Sequence, residues 1–320
     1  MLSTLRFALC AVGICAATMA AAQPLLAEPI RPLPLASGAN PARAALGRAL
    51  FYDLRLSRDN NQSCASCHLL QRGGADTRAL SLGAGGIANR FNTPTVYNST
   101  FNFRQTWTGR HSTINGLLEH VMSRPSGLAS SWELVASRLT GDEAMTKQFN
   151  AVYGEGARAE LLKDALGHYL KSLNTPSRFD RYLRGDKAAI STDEKAGYAR
   201  FKRFGCVSCH QGINVGGNMY QRFGVMREPA PGAGIATDQG RFDVTGREAD
   251  RRMLRVPGLR NVALTAPYFH NGSVATLEEA VDAMFKYQLG RDASPADKAL
   301  IVAFLKTLSG EKMPPPGSAP

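Results

Sequence analysis

The chain has 320 residues, with 38 Lys and Arg against 26 Asp and Glu and a formal net charge of +12. No aromatic-interleaved basic patch accompanies that charge, which argues against a nucleic-acid partner. Beyond the N-terminus no apolar run is long enough to span a membrane, and the length suits two domains of ordinary size.

Residues 1–22 read as a secretory signal peptide. Arg6 supplies the positive end, Phe7 to Thr18 the apolar stretch, and Ala20-Ala21-Ala22 a small-residue cleavage site before Gln23. Cleavage would remove Cys10 and Cys15, and Cys15 follows no convincing lipid-attachment signal. The four remaining cysteines fall in two CxxCH pentapeptides, Cys64-Ala65-Ser66-Cys67-His68 and Cys206-Val207-Ser208-Cys209-His210. Structural disulfides are therefore not expected. Each pentapeptide can attach one c-type haem, the two thiols forming thioethers and the adjoining His ligating the iron. Covalent haem on an exported chain points to the periplasm. Two haems add four propionates, so the holoprotein is less basic than its sequence. The remaining charge could steer an acidic electron-transfer partner.

Residues 23–42 read as an extended lead-in, followed by a helix through Leu46 to Phe51 that leads into the first CxxCH. The Gly-, Asn- and Thr-rich stretch 71–100 reads as a functional loop. From Thr113 to Met122 a helix places Leu117, His120, Val121 and Arg124 on one face. Helices also follow over Ser131–Leu139 and Ala157–Leu173, broken by Asn174-Thr175-Pro176-Ser177, and Arg184-Gly185-Asp186 is the expected domain junction. The second half repeats the plan. A helix over Thr192–Phe204 feeds the second CxxCH, a Gly-rich loop runs from Gly212 to Gly240, and helices cover Leu277–Tyr287 and Pro295–Leu308. The repeat argues for two mostly helical domains with little sheet.

Several stretches resemble the bacterial di-haem cytochrome c peroxidases and the related MauG-type enzymes. They are Ser63 to His68, Phe91-Asn92-Thr93-Pro94-Thr95-Val96, Trp107-Thr108-Gly109-Arg110, Gly240-Arg241-Phe242, Val256 to Val262, Thr265 to His270, and Leu277 to Met284. The resemblance covers nearly the whole mature chain. It implies a mainly α fold of two cytochrome c-like domains, each carrying one covalent c-type haem. Residues 23–185 would form the peroxidatic domain, built on Cys64, Cys67 and His68. Residues 186–320 would form the electron-transfer domain, built on Cys206, Cys209, His210 and an axial Met284. The resemblance further implies that Trp107 relays electrons between the haems. It also implies a calcium ion held by Asn92 and the backbone carbonyls of Thr265 and Pro267. His270 is expected to be structural or to lie on the propionate side, and His168 to be an exposed helix residue.

The chain departs from the family twice. Ala84 stands where a distal His usually caps the peroxidatic iron, so that position should be open at rest. The family's distal Gln, Pro and Glu fall on Leu117, Val121 and Gly127. Moving a proton between the peroxide oxygens still needs a group. His120 is favoured because it shares a face with Leu117 and Val121. His111, near Trp107, is second. Glu119 is third, because it points about 100° away around the helix, into solvent.

The expected function is a periplasmic oxidoreductase of the cytochrome c peroxidase type, reducing hydrogen peroxide with electrons from a small cytochrome c or cupredoxin. A MauG-like enzyme oxidising Trp or Tyr of a partner protein is the alternative, and a non-enzymatic di-haem electron carrier the third reading. Homodimers are frequent in the family, so a homodimer is an expectation from the resemblance.

Overall fold

The computed structural model describes residues 28–229 and 238–311, so the expected signal peptide lies outside the described residues. In the first half the helices are α1 (Pro41–Tyr52), α2 (Ile114–Ser123), α3 (Trp132–Thr140), α4 (Glu143–Tyr153) and α5 (Ala159–Ser172). The second half contributes α6 (Arg178–Leu183), α7 (Thr192–Arg203), α8 (Phe242–Thr245), α9 (Leu277–Ala283) and α10 (Pro295–Lys306). Met284–Gln288 continues α9 with wider π-type winding. Strands β1 (Tyr220–Arg222) and β2 (Met253–Arg255) form an antiparallel ribbon, with Tyr220 opposite Arg255. The chain is mainly helical with little sheet, as expected.

Helix starts follow local chemistry. Asn40 accepts the Arg43 N–H and Pro41 occupies the first turn of α1, where no backbone donor is needed. Ser191 with Glu194, and Thr276 with Glu279, form reciprocal capping boxes at α7 and α9. Helix α4 was not expected from the sequence. It is capped by Asp142 and buries only Met145 and Phe149, a stripe too thin to stand out.

The two halves repeat one packing device. Helix α1 crosses α5 so closely at Gly47 that a Cβ there would stand 2.0 Å from the Ala165 carbonyl oxygen. Helix α7 crosses α10 in the same way at Gly197, where a Cβ would stand 1.9 Å from the Leu300 carbonyl oxygen. Only glycine permits either crossing. Each CxxCH follows the first helix of its pair as a short 3₁₀ turn, Cys64–Ser66 or Cys206–Ser208.

Two cores result. Leu46, Leu50, Phe51, Met122, Val135, Phe149 and Leu162 belong to the first. Phe179, Ile190, Tyr198, Phe201, Phe285 and Phe304 belong to the second, together with Ile30 from the lead-in. The expected junction at 184–186 is the polar turn after α6, whose Phe179 is already part of the second core. The cores meet instead at the 174–177 break. There Asn98 Nδ2 and Asn261 Nδ2, one from each half, both donate to the buried Thr175 hydroxyl, at 2.8 and 3.0 Å.

Beside that junction lies a buried ion pair. Arg260 Nη1 and Nη2 each reach one Asp180 oxygen at 2.9 Å, and both side chains are at most 1% exposed. Asp180 also accepts the Leu33 and Ser177 N–H groups and the Ser177 hydroxyl, while Arg260 donates to the Ile213 and Arg31 carbonyls. Removing one partner would leave a buried charge uncompensated. Asp180→Ala is therefore expected to cost about 3–5 kcal/mol, read as a lowered denaturant midpoint. A midpoint within error of the parent chain's would refute it.

Candidate active site

One continuous, mainly apolar cavity of about 610 Å³ lies between the cores, and both CxxCH segments open onto it. His68 and His210 sit inside the fold yet keep accessible area, because that area faces the cavity. The ring orientation of His68 is set by Nδ1, which lies 3.2 Å from the Gly74 carbonyl. That bond places the proton on Nδ1 and leaves Nε2 as a lone-pair donor, the tautomer a metal ligand needs. Burial holds both imidazoles below the usual histidine range, His210 at about 4. Burial also pushes the thiols of Cys64 and Cys206 up, to about 12 and about 11. Such surroundings suit uncharged sulfur, as in a thioether. The donor set and the mostly apolar wall fit a haem at each segment.

On the first CxxCH side, α2 presents Leu117, His120, Val121 and Arg124 to the cavity. The face read from sequence is thus the cavity face. His120 is pushed down to about 4, by burial first and then by the Arg124 and His111 charges. His111 lies behind it, 4.8 Å between ring centroids, outside the cavity wall, with Nε2 buried and unpartnered. Burial, then Arg110 and Arg124, lower His111 as well.

Glu119 is exposed, as expected, but it is not free. It accepts the Trp132 indole N–H at 2.9 Å and pairs with Lys163 at 2.5 Å, which ties α2 to α3 and α5 away from the cavity. Ala84 is 1% exposed, and its N–H donates to the Gly127 carbonyl at 2.8 Å. The two positions at which the chain departs from the family are therefore in direct contact.

Trp107 lines the same cavity. Its indole N–H donates to the Asn92 carbonyl at 2.8 Å, its ring centroid lies 6.2 Å from that of His270, and its own carbonyl accepts the Arg255 N–H. Asn92, Thr265 and Pro267 line the same cavity. Asn92 Nδ2 is occupied by the Arg78 and Ala79 carbonyls, which turns Nδ2 away from any cation and suits Oδ1 for that role. His270 pairs with Asp238 at 3.0 Å. Met284 lines the cavity where α9 widens. Arg255 is buried and lowered to about 10 by that burial, and it faces the cavity with carbonyl and amide partners but no carboxylate among the described residues. It fits an acidic substituent on a bound group. His168 is half-buried rather than exposed, because its Nδ1 accepts the Asn40 N–H at 3.0 Å and ties α5 to the start of α1.

Paired CxxCH segments on one cavity between two helical cores define a multihaem c-type protein, and comparison with known proteins narrows the class. Residues 41–188 match the CCP_MauG family, described as di-haem cytochrome c peroxidase. Cytochrome c551 peroxidase of Nitrosomonas europaea is 40% identical over 89% of this chain and 85% of its own length. Cytochrome c peroxidase Ccp of Escherichia coli is 43% identical over 89% of this chain, which spans only 62% of that protein. Methylamine utilization protein MauG of Methylorubrum extorquens is 30% identical, covering 88% and 82%. The crystal structure of a MauG-like protein associated with microbial copper homeostasis superposes with a TM-score of 0.75 at 28% identity, over 89% of this chain and 94% of that one. The chain belongs to the di-haem cytochrome c peroxidase family.

The depressed His120 has a consequence for stability. Between about pH 6.5 and pH 4 the unfolded chain binds a proton that folded His120 refuses, so acidification through that window destabilises the fold. His120→Gln is expected to flatten this dependence, measured as denaturant midpoints at pH 7, 5.5 and 4.5. Parallel curves for the two proteins would contradict it.

Proposed function

We propose that this chain is a periplasmic peroxidase that reduces hydrogen peroxide to water at the His68 side of the cavity, with electrons entering at the His210 side from a small cytochrome or copper protein. The observation that carries the reading is the cavity shared by the two CxxCH segments, with Trp107 in its wall. Three relatives named as peroxidases are 39–43% identical and others so named 30–31%, whereas MauG of two organisms is 30% and 27%, which favours peroxide reduction over oxidation of a protein partner.

Cys64 with Cys67, and Cys206 with Cys209, would each hold one haem c, which when bound supplies the electron transfer and the peroxide-binding metal. His68 and His210 would be the proximal ligands. Met284 would complete the second site, its soft thioether favouring the reduced metal and raising the potential. Arg255 would meet a haem carboxylate. Trp107, fixed by its bond to Asn92, would carry electrons across the junction. Asn92 and the Thr265 and Pro267 carbonyls would hold calcium where the two halves meet.

On the His68 side the residues must exclude water, admit peroxide and move a proton. Leu117, Val121 and Leu128 supply the dry wall. His120, neutral at working pH, can accept a proton from one peroxide oxygen and return it to the other. Ala84 has no donor atom, so no side chain from that loop position competes with peroxide.

Mixing the haem-loaded protein with peroxide and a reduced small cytochrome c should oxidise two cytochromes per peroxide, and no consumption of peroxide would refute the peroxidase reading. The resting protein should show a high-spin ferric signal by electron paramagnetic resonance. Ala84→His is expected to replace it with a low-spin signal and to slow peroxide binding at least tenfold. A resting protein already wholly low-spin would overturn the open-site reading.

A further inference from the structure

The wall above His68 explains why position 127 is glycine. A Cβ there would stand 2.2 Å from the Val121 carbonyl oxygen, 2.9 Å from Arg124 Cγ and 3.2 Å from Arg124 Nε. The Arg124 side chain takes the space into which a residue at 127 would grow. Arg124 caps the C-terminus of α2, four residues after His120 and with its N–H on the His120 carbonyl, and both side chains line the cavity. Its Nη2 donates to Asn89 Oδ1 at 2.5 Å. Asn89 is itself buried and bonded through its N–H and its Nδ2 to the Ser81 carbonyl. Arg124 Nε is buried with no partner, and no carboxylate pairs with the guanidinium among the described residues. A guanidinium keeps its charge at neutral pH. The cavity thus holds an anchored positive charge, with donor capacity unused, beside a neutral imidazole.

We propose that Arg124 is a catalytic residue of the peroxide site and makes the cavity above His68 a binding site for small anions. The catalytic half rests on the peroxidase reading, whereas the anion site does not. In the reaction His120 takes the proton from one peroxide oxygen and gives it to the other. The O–O bond breaks heterolytically, and the departing oxygen leaves as water with the bonding pair, its own hydrogen and the proton His120 delivered. Arg124 stabilises the negative charge that builds on the departing oxygen before that proton reaches it. The remaining oxygen takes two electrons from the external donor and two solvent protons and becomes the second water, so that two protons and two electrons are consumed per peroxide. Arg124 and His120 together stand in for a distal carboxylate.

The test uses the full haem-loaded chain and fluoride as probe. Fluoride affinity is read from the optical spectrum at pH 7 for the parent protein, Arg124→Gln, Arg124→Lys and Asn89→Asp. Arg124→Gln should bind fluoride at least about tenfold more weakly and lose about 100-fold in kcat/KM for peroxide. Arg124→Lys should fall between the two. Asn89→Asp keeps the arginine but gives it a carboxylate neighbour, and it too should weaken fluoride binding. Equal fluoride affinity in the parent protein and in either the Gln variant or Asn89→Asp would overturn the proposal. Weaker fluoride binding in a chain whose parent consumes no peroxide would uphold the anion site, while the peroxidase reading failed.

Discussion

The ion pair of Asp180 and Arg260 is the constraint on which the arrangement of the two halves depends. Burying two full charges is unfavourable unless both are saturated with partners, and here they are. The partners come from four separate stretches of chain: the lead-in at Arg31 and Leu33, the inter-domain break at Ser177, the loop after the second CxxCH at Ile213, and the segment carrying Arg260. None of these stretches is regular secondary structure. The lead-in and the loop after the second CxxCH also bond directly, through the Gly212 N–H to the Pro29 carbonyl and the Arg31 N–H to the Gly212 carbonyl, and the pair ties both to the break and to the segment carrying Arg260. The second core and the break that leads into it are therefore positioned by electrostatics as much as by apolar packing.

The same economy of polar groups fixes the first half against the second. The segment 98–109 is clasped by Thr175, Arg255, Asn214 and Arg241, chiefly through its carbonyl and amide oxygens. Trp107 belongs to this clasp, so its indole is held by groups from both halves and does not float in a loop. A relay residue placed this way has one geometry. The cavity wall on the His68 side is equally tied down, because Ala84 is bonded to Gly127 and Arg124 to Asn89.

Much of this was legible in the sequence where periodicity or a rigid motif carried it. The helices bearing Leu46–Phe51 and Thr192–Arg203, the cavity face of α2 and the absence of extended sheet all follow from spacing. Helix α4 escaped because only two of its residues reach the core. The boundary was displaced because Phe179 and Ile30 act over long sequence separation, which no local pattern reports. Glu119 is solvated as read, but its partners, Trp132 and Lys163, come from other helices and no local pattern reports them. Gly127 was legible as a missing acid, but the reason for it, the Val121 carbonyl and the Arg124 side chain crowding the vacant Cβ position, appears only in three dimensions. The glycines at the helix crossings were visible all along; their signal was a lone glycine near the middle of the helix that precedes each CxxCH.

Ile30 packs with residues that lie between 179 and 308, and Arg31 and Leu33 share partners with Asp180 and Arg260. A chain synthesised from its N-terminus presents this short strap long before anything exists for it to grip. Residues 46–173 contain every buried residue of the first core, so none of its members comes from the second half. The strap has its full set of partners only once the chain through α10 is in place. Assembly of the two halves consequently ends with the earliest residues docking on the latest ones, and shortening the chain to begin at α1 would spare the first core while opening the second.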